Sequence, residues 1–220
     1  MLASVSIWIG THKAAGMAAV AGYVNAVAFL GLHTFVAPMT GTVVQAGFEL
    51  SAMHWPEVGK TLLVVVAFAC GVAFARLSRR DGRGPGLAWL VVALVLGVSA
   101  VRPLDGLLSL VPIAAALGCL NGSETRFGPV VMNTTFLTGN LERLGEAIGD
   151  RAMPHRLAQL ACIAAIIIPY LAGATAGAVA TQHLAMPLLV PAGLLLLAGV
   201  AGLVRSRSAV RSSSRQQSST

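Results

Sequence analysis

Acidic side chains are scarce in this sequence: eight Asp and Glu stand against fifteen Lys and Arg in 220 residues. Charged residues make up 10% of the chain, where a soluble globular domain carries about 25%. That deficit excludes an ordinary water-facing surface. Enzyme signatures are lacking as well. There is no Walker loop, dinucleotide fingerprint, His-Glu-x-x-His or Gly-x-Ser-x-Gly, and the scattered Ser and His residues form no triad. No catalytic activity is expected, and no cofactor or metal. The three cysteines, Cys70, Cys119 and Cys162, are isolated in apolar runs with no metal-ligand spacing, and read as small core residues. The opening "MLASVSIWIGTHK" has no basic n-region and only a short apolar run, so it reads poorly as a cleaved signal peptide.

What the sequence has is apolar surface. Hydrophobic residues make up 56% of it and its mean hydropathy is +0.79. Several runs approach or exceed the roughly 18–20 residues needed to cross a bilayer. The chain reads as an integral membrane protein, an all-α polytopic helix bundle. Six runs are candidate full spans: 14–32, 59–77, 87–101, 104–122, 157–181 and 187–204. Two shorter segments, 36–53 and 130–148, are either re-entrant or full crossings. The domain reading is one transmembrane domain over 1–204, followed by a disordered, basic, cytoplasmic tail over 205–220. That tail, "RSRSAVRSSSRQQSST", is Ser/Gln/Arg-rich with almost nothing to bury.

Positive charge near span ends marks the cytoplasmic side. With the tail inside and both short segments re-entrant, Arg79, Arg80 and Arg83 fall inside, as do Lys13, Arg151 and Arg156. Eight crossings would put the Arg79–Arg83 loop outside. Six crossings plus two re-entrant segments therefore fit the charges better, with both termini cytoplasmic in a bacterial inner membrane. Nucleic-acid binding, the other reading of a basic chain, has no soluble domain to present it.

The two short segments carry a repeated signature. Residues 22–47 read "GYVNAVAFLGLHTFVAPMTGTVVQAG", and residues 118–145 read "GCLNGSETRFGPVVMNTTFLTGNLERLG". Asn25 matches Asn121, Thr40-Gly41 matches Thr138-Gly139, and Gly47 matches Gly145. Halves of about 14–101 and 104–204 each run span, Thr-Gly segment, span, span. Six crossings make them an inverted repeat, an arrangement that in transporters places sites near the midplane.

These same blocks resemble the YoaK family, a group of bacterial membrane proteins with a domain of unknown function. The resemblance covers about 18–203 and rests on the two Thr-Gly blocks. It implies six or seven spans and no particular substrate. The first block of the family resembles Asn-Met-Thr-Gly-Asn; here Pro38 and Thr42 stand for the two asparagines, which would weaken that half-site if the amides bind a ligand.

Thr40 and Thr138 are candidate N-caps, and Gly41 and Gly139 candidate points of close backbone approach. Each segment would then present a helix N-terminus inside the membrane, suited to a small polar or anionic ligand. The candidate site gathers Asn25, Thr40, Gly41, Thr42, Gln45, Asn121, Glu124, Arg126, Thr138, Gly139 and Asn140. Asn25 lies about 18 Å beyond Lys13 at 1.5 Å per residue, near the middle of a core roughly 30 Å thick. Two functions follow: a small-molecule or ion transporter or channel with its site between the Thr-Gly segments, or a non-transporting scaffold or sensor whose polar motifs only fix packing. His33, at the outer end of the first span, reads as an interfacial residue. Gly173–Gly177 and the ridge Ala67, Gly71, Ala75 are small-residue faces, serving either the internal bundle or a homodimer.

Overall fold

A computed structural model describes residues 2–80, 84–101, 106–122, 125–127, 130–132, 137–150 and 156–217. The described residues form eight helices: α1 (Leu2–Leu32), α2 (Met39–Ser51), α3 (Trp55–Arg80), α4 (Gly84–Ala100), α5 (Gly106–Gly122), α6 (Leu137–Gly149), α7 (Arg156–His183) and α8 (Leu189–Gln217). A two-stranded antiparallel hairpin, β1 (Thr125–Phe127) and β2 (Val130–Met132), pairs Arg126 with Val131. The chain is a polytopic, helical membrane protein. His12–Leu32, Trp55–Arg79 and Arg156–His183 are long and apolar enough to cross a bilayer, and Gly86–Ala100, Gly106–Gly122 and Leu189–Val204 are shorter apolar helices. All six coincide with the expected spans. The two Thr-Gly helices are thirteen residues each, about 20 Å of helix, and cannot bridge a core roughly 30 Å thick.

Helix ends follow local chemistry. His33 takes φ 50 and returns its N–H to the Phe29 carbonyl at 2.9 Å, an αL cap that stops α1. Pro38, lacking an N–H, leads directly into α2. Met53, at φ 57, closes α2: its N–H reaches Leu50 and the His54 N–H reaches Glu49. Helix α8 continues to Gln217. No Gly or Pro follows Gly202, and a helix already started by packing propagates at little cost.

From Ala14 to Ala28 helix α1 is buried on nearly every side, with Ala14, Ala18, Ala21, Val24, Val27 and Ala28 at 1% exposure or less. Around it the most extensive pairings are α1 with α7, α3 with α5, and α4 with α8. Glycines make the first two possible. A β-carbon at Gly22 would overlap the Tyr170 carbonyl oxygen, and one at Gly173 the Ala19 carbonyl. Likewise Gly118 faces the Phe68 carbonyl and Gly71 the Ala115 carbonyl. The small-residue faces open to two readings in the sequence are thus spent inside the bundle. The outer surface stays apolar: Leu157, Leu108 and Phe48 are 81%, 77% and 70% exposed, a surface suited to lipid.

The glycine contacts also give helix directions. Ala19 meets Gly173 and Tyr23 meets Gly177, so α1 and α7 run parallel. Phe68 meets Gly118 and Val72 meets Gly122, so α3 and α5 run parallel. Gly86 lies against Gly199 and Leu203, while Leu90 lies against Gly199 and Val101 shares a groove with Leu189; α4 and α8 are antiparallel. If α2 and α6 both crossed, α4 and α8 would run parallel. If only one crossed, α1 and α7 would oppose. Six crossings satisfy all three pairs.

Candidate functional site

Asn25 is a buried polar side chain of α1, at 6% exposure. It lies one turn beyond Gly22, where α1 and α7 nearly touch. Its Nδ2 donates to the Tyr170 hydroxyl at 2.7 Å, and its Oδ1 has no hydrogen-bond partner among the described residues. Turning the amide over would let Tyr170 donate to the oxygen and leave the nitrogen open instead. Either way one polar atom of a buried amide stands open at membrane depth, where an unmade bond is costly. The neighbouring Tyr23 hydroxyl donates to the Pro187 carbonyl at 2.9 Å, so the same stretch of α1 also anchors the start of α8.

The Thr-Gly helices align closely with each other. Counting from the first residue of each, Thr40 and Thr138 are second, Gly41 and Gly139 third, Thr42 and Asn140 fourth. The second residue is exposed in both. The fourth is buried in both, Thr42 at 1% and Asn140 at 0%. The expected N-caps are therefore corrected: Thr40 and Thr138 lie within the first turn, and Pro38 holds the cap position of α2 with no side-chain bond. The hydroxyl that serves the helix start is that of Thr42, which donates to the Phe35 carbonyl at 3.1 Å and the Pro38 carbonyl at 3.4 Å. Close approach at Gly41 and Gly139 is corrected too. Among the described residues nothing lies within 4 Å of a β-carbon at either, and neither has positive φ.

The remaining candidates are spread out. Gln45 is half-buried on the Thr42 face of α2, and Asn121 half-buried in the last turn of α5. Arg126 is placed by the backbone of β1 only, and Glu124 lies outside the described residues. Helix α2 packs on α3 and α6 on α7, and among the described residues no extensive packing joins the two Thr-Gly helices. Short connections explain this: each is tied to the span that follows it, α2 through 52–54 and α6 through 150–155. At the end of α6 the Arg156 Nε donates to the Ala147 carbonyl at 2.6 Å, a basic cap on free helix carbonyls. His33 is exposed and acts through its backbone. Among the described residues no three His, Cys, Asp or Glu side chains gather as metal ligands.

Tyr170 is the residue that sequence reasoning passed over. Its signal was present: a phenol inside the apolar run "AAIIIPYLAG" must find a polar partner when buried.

A family model described as "Protein of unknown function (DUF1275)" matches residues 14–201. The chain is 28% identical over 182 residues to the UPF0700 transmembrane protein RA0705 of Rhizobium meliloti (strain 1021), covering 80% of this chain and 77% of that protein. It is also 28% identical over 147 residues to the UPF0700 transmembrane protein YoaK of Bacillus subtilis (strain 168), covering 60% of this chain and 64% of that protein. No solved structure matches it.

Proposed function

This chain belongs to the DUF1275 (YoaK) family of transmembrane proteins, and from that premise we propose that it carries a small polar or anionic solute, or an ion, across the bacterial inner membrane. The observation that carries the reading is the Asn25 amide, buried at membrane depth with one polar atom open among the described residues. Polar groups at that depth are uncommon without a task, and this one lies where α1 and α7 cross. Thr42 and Asn140, the buried fourth residues of the two short helices, are its nearest analogues in the other elements.

The proposed frame is an inverted repeat. Exchange of the halves takes Gly22 to Gly118, Ala19 to Ala115, Tyr170 to Phe68 and Gly173 to Gly71. The α1–α7 contact between Gly22 and Tyr170 then becomes the α5–α3 contact between Gly118 and Phe68, and Gly173 on Ala19 becomes Gly71 on Ala115. The antiparallel α4–α8 pair maps onto itself. This correspondence supports a pseudo-two-fold in the membrane plane, the frame in which a site between halves alternates its access. The exchange also turns Tyr170 into Phe68, so the two half-sites are chemically unequal. Ligand specificity would then reside at the α1–α7 crossing.

A solute screen tests the transport reading. In proteoliposomes, flux or a melting shift with at least one small polar or anionic solute or ion is expected, abolished in Asn25→Leu protein that remains folded. No response from the parent across such a panel, with Asn25→Leu folded and unchanged, would leave the scaffold reading. That second reading has its own support, since Tyr170 already holds one end of the amide.

The proposed orientation puts both termini and the Arg79–Arg83 loop in the cytoplasm. On a cysteine-free background, Arg80→Cys is expected to react with a permeant maleimide and to resist an impermeant one added outside. Labelling from outside would invert the bundle.

A further inference from the structure

Pro169 stands inside α7, one residue before Tyr170. A proline has no N–H, so the carbonyl of Ala165, four residues earlier, lacks its helix bond. The parts of α7 on either side are held in different ways. From Tyr170 onward the helix is locked to α1 by backbone. Gly22 faces the Tyr170 carbonyl, Gly173 the Ala19 carbonyl and Gly177 the Tyr23 carbonyl, and Asn25 bonds the Tyr170 hydroxyl. Before Pro169 the seam is closed by side chains. Ala14 and Ala18 of α1 meet Ile163 and Ile166 in a small apolar cluster, each at 1% exposure or less.

Helix α6 belongs to the part before Pro169. Leu137 and Leu144 pack on that same cluster, and Arg156, the first residue of α7, donates to the Ala147 carbonyl. Among the described residues no other helix packs extensively on α6. A helix that lacks one bond of its ladder bends there more readily than elsewhere.

We infer that Pro169 is a hinge, on which α6 and residues 156–168 of α7 swing together as a lever beside the Asn25–Tyr170 pair. Swinging out parts Ala14 and Ala18 from Ile163 and Ile166. The seam opens up to Tyr170, while the glycine contacts beyond it stay closed. The lever is the N-terminal part of α7, which on the proposed orientation is cytoplasmic, so it guards the inner approach to the site. That role rests on the transport reading; the hinge itself rests on the packing alone. The first half has no counterpart. Exchange of the halves sets Ala67 of α3 where α7 has Pro169, and α3 has no proline beyond its first turn. Helix α6 can therefore move where α2 stays fixed to its span.

Thiol labelling tests the hinge without a solute. On a cysteine-free background, Ala18→Cys puts a thiol inside the closed seam, and Val24→Cys puts one, equally buried, beyond it. N-ethylmaleimide is expected to label Ala18→Cys in membranes and Val24→Cys far more slowly. Pro169→Ala restores the bond to Ala165 and should slow the Ala18→Cys reaction about tenfold, the worth of roughly one hydrogen bond. Pro169→Gly restores the N–H in a softer backbone and should label closer to the parent rate. Equal rates in the parent and Pro169→Ala overturn the hinge, as does Ala18→Cys labelling no faster than Val24→Cys. Hydrogen exchange of the unaltered chain gives an independent reading. Amides over 160–168 are expected to exchange faster than those over 173–181, and Pro169→Ala to remove the difference; uniform protection along α7 in the parent counts against the hinge. With a responsive solute, folded Pro169→Ala should keep the melting shift and lose most of the flux. Full flux in Pro169→Ala, with Asn25→Leu inactive, overturns the lever and leaves the site. In a parent without any solute response the transport reading falls, and the labelling contrast still decides the hinge.

Discussion

Gly173→Val and Gly118→Val are expected to abolish the folded protein in detergent, while Gly41→Val and Gly139→Val leave melting temperature and monodispersity near those of the parent. The contrast comes from what each β-carbon would meet. At Gly173 the neighbours are the Ala19 carbonyl and, at 2.8 Å, the Ala19 Cα; at Gly118 they are the Phe68 carbonyl and, at 3.0 Å, the Phe68 Cα. These are backbone atoms and cannot rotate away. A valine must force the two helices apart along their length, and the loss extends beyond the site to the whole seam. Overpacking costs about 1–3 kcal/mol where side chains can adjust, and more where they cannot. Between helices in lipid, close packing supplies much of the attraction, so separating them removes what holds them. At Gly41 and Gly139 the space is open among the described residues and the backbone is helical. Alanine at either should stabilise by about 0.4–1 kcal/mol, through the lost freedom of the unfolded chain. Equal damage from all four valine variants would mean that the crossings do not govern stability.

That result would also mark how much of the molecule is legible in its sequence. The six apolar helices were, because apolar length is a direct reading of bilayer thickness, and three of them are long enough to cross it. The thirteen-residue α2 and α6 were legible as short segments for the same reason. Which face of each helix meets protein was not. Lipid and protein interior are both apolar, so hydropathy does not separate Leu157, facing out, from Ile163, fully buried. The small residues carry that information, and Gly71, Gly173 and Gly177 did mark their seams, though not their partners. Gly41 and Gly139 stand out in the sequence because Thr-Gly repeats, yet repetition reflects the shared fold as readily as a shared contact. The β1–β2 hairpin was overlooked although Gly128-Pro129 separates two β-prone stretches. Asn25 could be placed at depth by counting residues from Lys13. Its partner Tyr170 could not, since 145 residues separate them and only the tertiary crossing joins them.

Tyr170→Phe is expected to lower stability, while Asn25→Leu preserves or raises it, and the double variant recovers what Tyr170→Phe loses. The asymmetry follows from the open atom. Removing the phenol oxygen leaves the Asn25 amide buried with both ends lacking a partner among the described residues. Stranding a buried polar group costs about 1–3 kcal/mol, whereas replacing both partners by apolar groups of similar shape is nearly neutral. Membrane interiors reduce the figure, because the separated helices find other partners; couplings there average about 0.6 kcal/mol. A double-mutant cycle in thermal melts should therefore show a clear coupling between Asn25 and Tyr170, with Asn25→Leu the mildest member. An amide kept only to fix packing behaves otherwise. Its removal alone would destabilise as much as the removal of Tyr170, because both would break the same satisfied joint. An amide kept for a ligand instead trades stability for an open polar atom, so Asn25→Leu would gain stability while losing the solute response. A stabilised but unresponsive Asn25→Leu separates site from scaffold, and an Asn25→Leu that melts as early as Tyr170→Phe would sink the site reading.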